Sequence, residues 1–175
     1  MNRRVQTGVF LLVAAVAGIA GYYFNRAGMT SPAADTAVQK LMLAPLRDLD
    51  GKAQTLSHWR GKILVVNFWA TWCLPCREEI PALVKIRDKY VANGVEIVGI
   101  ALDDVSKVRE FATEMRISYP LLIASAEVLD LSKPLGNRAG VLPFTVVLDR
   151  EGKMAYSHIG ALTEAGIKLV LAPLI

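Results

Sequence analysis

The stretch Ile63-Leu64-Val65-Val66-Asn67-Phe68-Trp69-Ala70-Thr71-Trp72-Cys73-Leu74-Pro75-Cys76 decides how the rest of this chain is read. Ile63 to Trp69 is an almost unbroken apolar run of strand formers, the pattern of a strand buried on both faces. Arg77 to Tyr90 then repeats apolar residues at helical spacing, at Ile80, Leu83, Val84 and Ile86. Between strand and helix stand Cys73 and Cys76, the only 2 cysteines of the chain. Two thiols at this spacing close a small ring, so one disulfide breaks and reforms without moving the rest of a fold. Cys73 falls at the cap of the helix N-terminus. There the partial positive charge of the helix favours the thiolate, the form that attacks disulfides.

Other uses of such a pair fit less well. A structural zinc site needs about four ligands, and beyond the two thiols the chain offers only His58 and His158, each read as structural. A purely structural disulfide here would close a very short loop, where the entropic gain is smallest. A redox pair is the reading that remains, with no metal and no cofactor other than the disulfide itself.

The N-terminus reads as a membrane anchor. After Arg3 and Arg4 no charge appears until Arg26, and Gly8 to Phe24 is apolar or small throughout. At about 1.5 Å per residue this run reaches roughly 26 Å, the short limit for spanning a bilayer. Tyr22, Tyr23 and Phe24 cluster where the far interface would lie, and the two arginines stay on the cytoplasmic side. A cleaved signal peptide is the rival reading; the aromatic trio that follows the small residues and the length of the apolar run favour an uncleaved anchor. Residues 1–6 are then cytoplasmic, 7–25 transmembrane, 26–39 a small and polar linker without periodicity, and 40–175 one folded domain. By the positive-inside rule this is a single-pass anchor with the C-terminal domain on the far, exported side. The net charge of +4 is set mostly by that end: 3 of the 20 basic residues (Arg3, Arg4, Arg26) belong to it, and the other 17 face 16 acids. No basic run stands out, so nucleic acid is not a partner.

Along the domain, Leu43 to Lys52 predicts a short strand ending in an Asp-Gly turn, with a second near Gln54 to Leu56. Val95 to Ala101 predicts a buried strand, Val105 to Arg116 an amphipathic helix and Glu127 to Leu135 another short helix. Phe144 to Leu148 and Met154 to Ile159 form a hairpin about Asp149-Arg150-Glu151-Gly152, and Thr163 to Leu171 closes the chain as a helix. Strands alternating with helices, then a hairpin and a final helix, imply an α/β fold with a central mixed sheet covered on both faces. The thiols lie at the C-terminal end of an inner strand, the usual place for chemistry in open α/β sheets.

The run Val66 to Pro81 resembles the active-site stretch of thioredoxin-like proteins, and more narrowly of the membrane-anchored TlpA/ResA/CcmG group of bacterial thiol-disulfide oxidoreductases. Gly61-Lys62, Leu142-Pro143-Phe144-Thr145 and the Asp149 to Gly152 turn extend the likeness from Leu43 to the C-terminus. The resemblance implies a thioredoxin-like fold with an N-terminal hairpin extension. It implies a monomeric periplasmic reductase, fed by a membrane thiol transporter, that reduces cysteine pairs of apocytochrome c, copper-site proteins or other exported proteins. It makes Cys73 the nucleophile and Cys76 the resolving thiol. It also makes Pro143 a cis-proline facing the pair, with Leu142 bordering the substrate groove. Trp72, Leu74 and Pro75 complete the docking surface, while Trp69 is core. Glu79 matches an acid three positions after the second cysteine, able to exchange the proton of Cys76. Asn67 stands where ordinary thioredoxins carry a buried Asp, and an amide cannot titrate.

Other functions stay open. The same fold can run as an oxidant that installs disulfides, since potential depends on the balance of thiolate stabilisation. A non-enzymatic Cu(I) carrier would want a longer cysteine spacing with a histidine close by. A peroxidase needs a hydroxyl where Ala70 stands.

Overall fold

The computed structural model describes residues 32–175, and expectations for 1–31, the membrane anchor included, lie outside them. Among the described residues no helix is long and apolar enough to cross a membrane. Helix α1 (Pro32–Leu43) opens this part, followed by the hairpin β1 (Leu46–Asp48) and β2 (Ala53–Gln54) and a 3-10 turn at Leu56–Trp59. Strand β3 (Ile63–Trp69) runs into α2 (Leu74–Tyr90), then β4 (Val95–Ala101) into α3 (Val105–Glu114). Strand β5 (Leu121–Ile123), α4 (Ala126–Asp130) and a 3-10 turn at Lys133–Leu135 lead to the hairpin β6 (Phe144–Leu148) and β7 (Met154–Ile159). Helix α5 (Glu164–Leu171) closes the chain, with Thr163 accepting a capping bond from the Gly166 amide.

The seven strands form one mixed sheet in the order β2-β1-β5-β4-β3-β6-β7. Strands β5, β4 and β3 are parallel; β6 pairs antiparallel with β3, as does the β1–β2 hairpin with β5 through β1. Both β3 and β4 are buried along their whole length, which is why their sequences read as continuous apolar runs.

Side-chain alternation splits the core in two. Ile63, Val65 and Trp69 of β3 face one side with both cysteines, Ile80, Leu83 and Ile86 of α2, Phe111 of α3 and Ile167 of α5. Leu64, Val66 and Phe68 face the other side, against Val38, Leu41 and Met42 of α1.

Three expectations change. The linker over 26–39 becomes helical from Pro32, because Ala34, Ala37, Val38, Leu41 and Met42 make a buried stripe that ties it to the sheet. The single helix over Glu127 to Leu135 is two pieces, since Pro134 carries no amide hydrogen to continue it. Strand β5, only three residues long, was not anticipated at all.

Candidate active site

Strand β3 ends at Trp69, and the turn that follows is closed by the Cys73 amide donating to the Ala70 carbonyl at 3.2 Å. Cys73 is the N-cap of α2 in extended conformation, and Pro75 occupies the first turn, where its missing amide hydrogen costs nothing. Cys73 and Cys76 are joined as a disulfide with their Cα atoms 5.3 Å apart. Cys76 is fully buried and Cys73 is 6 % exposed, so an incoming thiolate meets Cys73 first. Around this point the surface is apolar: Trp72 is 69 % and Leu74 66 % exposed, and Pro75 is exposed beside them. Trp69, as expected, is core.

The Leu142–Pro143 peptide bond is cis. Because Phe144 pairs with Phe68, Pro143 sits at the sheet end that carries the thiols. Leu142 is half-buried against the core cluster that contains both cysteines, and the Pro143 carbonyl accepts from the Gly160 amide at 2.9 Å.

Glu79 lies three residues beyond Cys76 on the same face of α2 and is 2 % exposed. The Asn67 amide donates to its Oε1 at 2.7 Å, and the Leu162 backbone amide donates to its Oε2 at 2.9 Å. The same Asn67 amide donates to Thr145 Oγ1 at 3.0 Å, across the β3–β6 pair. Burial pushes the Glu79 carboxyl up to about 7, against the pull of the Leu162 and Asn67 donors. The contrast with Glu96 is instructive: that buried acid is paired with Lys62 and Arg87, at 3.3 and 3.2 Å, whereas among the described residues no cation pairs with Glu79. On the same side of the sheet, Tyr119 is held well above the usual phenol range, mainly by burial, with Glu79 adding to it. Asn67 Oδ1, Trp69 Nε1 and Tyr119 OH are buried with no hydrogen-bond partner among the described residues.

A second latch ties the loop before the thiols. The Thr71 hydroxyl donates to Asp103 Oδ2, and the Leu102 amide donates to the Trp69 carbonyl at 3.0 Å, so the turn after β4 holds the turn after β3. Burial works to raise the Asp103 carboxyl, but the Thr71 and Asp104 donors and the Lys107 charge bring it below the usual range. Sequence reasoning missed Asp103, Leu162 and Thr145 as parts of the site. Leu162 acts through its backbone, so no side-chain pattern could have pointed to it.

His58 and His158 do not join the thiols in a ligand set: His58 contacts Trp59, and His158 stacks on Tyr156 along β7. Among the described residues no group of acids, histidines and cysteines is arranged to hold a metal.

A disulfide capping a helix at the end of an inner strand, level with a cis-proline on the neighbouring strand, defines a thioredoxin-like redox protein. Residues 26–171 match the Redoxin family. The thiol-disulfide oxidoreductase ResA of Geobacillus thermodenitrificans is 30 % identical over 167 residues, which cover 94 % of this chain and 91 % of that protein. Two solved structures are similar. A thiol:disulfide interchange protein of the thioredoxin family from Chlorobium tepidum has 28 % identity and a TM-score of 0.66, over 75 % of this chain and 94 % of that one. A thioredoxin-related protein from Neisseria meningitidis serogroup B has 33 % identity and a TM-score of 0.66, over 74 % and 97 %. The chain belongs to the Redoxin family, in its TlpA/ResA/CcmG group, and is a thiol-disulfide oxidoreductase.

Proposed function

We propose that this protein is a membrane-anchored periplasmic reductase that delivers electrons through Cys73 and Cys76 to disulfides of exported proteins. Apocytochrome c and copper-site cysteine pairs are the substrates that the family resemblance implies, and a membrane thiol transporter is the donor. Tethering by residues 7–25 confines the domain near a donor in the same bilayer and raises its effective concentration. The chain works as a monomer, and no cofactor besides the disulfide enters the exchange.

In the productive direction the Cys73 thiolate attacks one sulfur of the substrate disulfide. The bond to the other sulfur breaks and leaves as a thiolate, giving a mixed disulfide on Cys73. Cys76 then gives its proton to the Glu79 carboxylate and attacks Cys73 Sγ, which frees the second substrate sulfur. Two electrons have passed to the substrate, and Cys73–Cys76 is oxidised. Trp72, Leu74, Pro75, Leu142 and Pro143 form the docking surface, with the backbone before Pro143 pairing to the substrate segment.

The observation that carries the direction is the buried Glu79, without a cation, on the face of α2 that carries Cys76. Where Glu79 is ionised, from about pH 7 upward, its charge works against a neighbouring thiolate and so against the reduced pair. Strong oxidants of this fold do the opposite and stabilise their reduced form. The test is the reduction potential of the Cys73–Cys76 couple in the full chain, equilibrated with thiol buffers at pH 7. A value below about −220 mV supports the reductase, and one above about −150 mV reverses the flow.

A further inference from the structure

We infer that Asn137 is a positioning residue for substrate docking, holding the Val141-Leu142-Pro143 edge in the register that an incoming cysteine segment meets. This rests on the docking role proposed above for Leu142 and Pro143.

Asn137 is fully buried, in a segment whose crest is exposed at Gly136, Arg138 and Ala139. Its side chain makes a paired contact with one residue: Oδ1 accepts from the Val141 amide at 2.9 Å, and Nδ2 donates to the Val141 carbonyl at 3.0 Å. Nδ2 also donates to Ser132 Oγ at 3.1 Å, and that hydroxyl donates to the Leu129 carbonyl at 2.6 Å. The Asn137 backbone is engaged as well, donating to the Ser132 carbonyl at 3.1 Å and accepting from the Gly140 amide at 3.0 Å. Only a primary amide supplies one acceptor and two donors from a single planar group, so no other side chain of this length reproduces the set.

The base of this clamp is packed into the core while its crest is exposed. Ser132 is fully buried, and Leu135 is 1 % exposed in the same apolar cluster as Leu41 of α1 and Phe144 of β6. Asn137 therefore transmits the position of a fixed base to Val141, two residues before the cis-proline. The consequence for a partner is one of register. With both backbone groups of Val141 taken by Asn137, the edge offered to an extended peptide begins at Leu142. Without the amide, Val141 would compete for the peptide's hydrogen bonds. Val141, which is 40 % exposed, would then be free to shift and carry Leu142 with it.

A residue that positions the partner, and not the thiols, separates two kinds of substrate. The test compares wild type and Asn137→Ala, as full chains whose Cys73–Cys76 pair is first reduced with a small dithiol that is then removed, in single turnovers with glutathione disulfide and with an oxidised Cys-x-x-Cys peptide of about ten residues. The peptide is long enough to pair along the edge. The expected result is a half-saturating peptide concentration raised about tenfold with the rate at saturation kept. The rate with glutathione disulfide and the Cys73–Cys76 potential should stay within about twofold of wild type. Unchanged peptide kinetics overturn the inference, as does a parallel loss on both disulfides, which would mean that the change only loosens the fold. Wild-type protein inert toward both disulfides would instead sink the functional reading itself. Amide hydrogen exchange at Val141 in the unmodified protein gives an answer even where the variant fails to fold. Protection well above that of a solvated loop amide supports the clamp, and exchange at the free rate overturns it.

Discussion

At the scale of single residues, the charge of Glu79 is set by a contest between burial and two donors, and burial wins. Raising a carboxyl from its ordinary range to about 7 means that ionisation inside the protein costs about 3 kcal/mol more than in water. Between about pH 4.5 and 7 the folded protein therefore holds a proton that the unfolded chain has released. Stability of the oxidised protein should fall as pH rises through that window and level off above it. Urea unfolding at pH 5 and pH 8 checks this, and Glu79→Gln should remove most of the slope. The same variant should slow resolution of a mixed disulfide by about tenfold or more and flatten its pH dependence near neutrality, read by stopped-flow thiol release. Asn67 fits beside this acid because its amide donates to Glu79 and Thr145 at once. An aspartate in its place would set one carboxylate against another.

At the scale of elements, packing around one glycine fixes how β4 sits under the thiols. A Cβ on Gly99 would lie 2.7 Å from Leu121 Cδ2, 3.0 Å from Trp69 Nε1 and 3.1 Å from Tyr119 Cε2. Gly99→Ala should therefore destabilise by about 1–3 kcal/mol, measured by chemical denaturation. Helix α1 is equally part of the fold. Leu41 is fully buried on the sheet face away from the thiols, and Leu41→Ala should cost about 2–5 kcal/mol in the same measurement; a cost near zero would return this segment to the status of a tether. Long elements were legible in the sequence where their apolar pattern was strong: the unbroken runs of β3 and β4, the β6–β7 hairpin and the helical spacing within α2 all stand where the pattern put them. The short β1–β2 hairpin was legible from its Asp50-Gly51 turn, but α1 and β5 were not. The first half of the α1 stripe is Ala34 and Ala37, which carry little hydrophobic signal, and its larger members Val38, Leu41 and Met42 span little more than one turn. Strand β5 is an apolar triplet, too short to show a pattern, that pairs with β1 on one side and β4 on the other. In the site, the cysteines and the cis-proline were legible from motif. The partners of Glu79 were not, because they come from β3 and from a backbone amide 83 positions further along the chain.

At the scale of the whole molecule, the redox state and the stability of the fold are one thermodynamic cycle. A couple that gives up electrons readily is one whose disulfide form is favoured by the folded state, and about 30 mV corresponds to about 1.4 kcal/mol for two electrons. The reduced protein should accordingly melt below the oxidised one in matched buffers with and without reductant. A reduced form that melts higher would mark an oxidant instead. The two-sided core shapes where that difference is felt. Both thiols and Glu79 share one side of the sheet with α2, α3 and α5, while α1 lies on the other.

The bond from Leu162 to Glu79 also has a meaning in time. A chain still being made presents Cys73, Cys76 and Glu79 long before residues 162–171 arrive. Until they do, the carboxyl lacks one of its two donors, and the core lacks Ile167 and Leu171. The segment from Leu162 into the last helix is thus the piece that completes the bonding of this buried carboxyl, and a half-made chain carries its cysteines beside an acid still short of one donor.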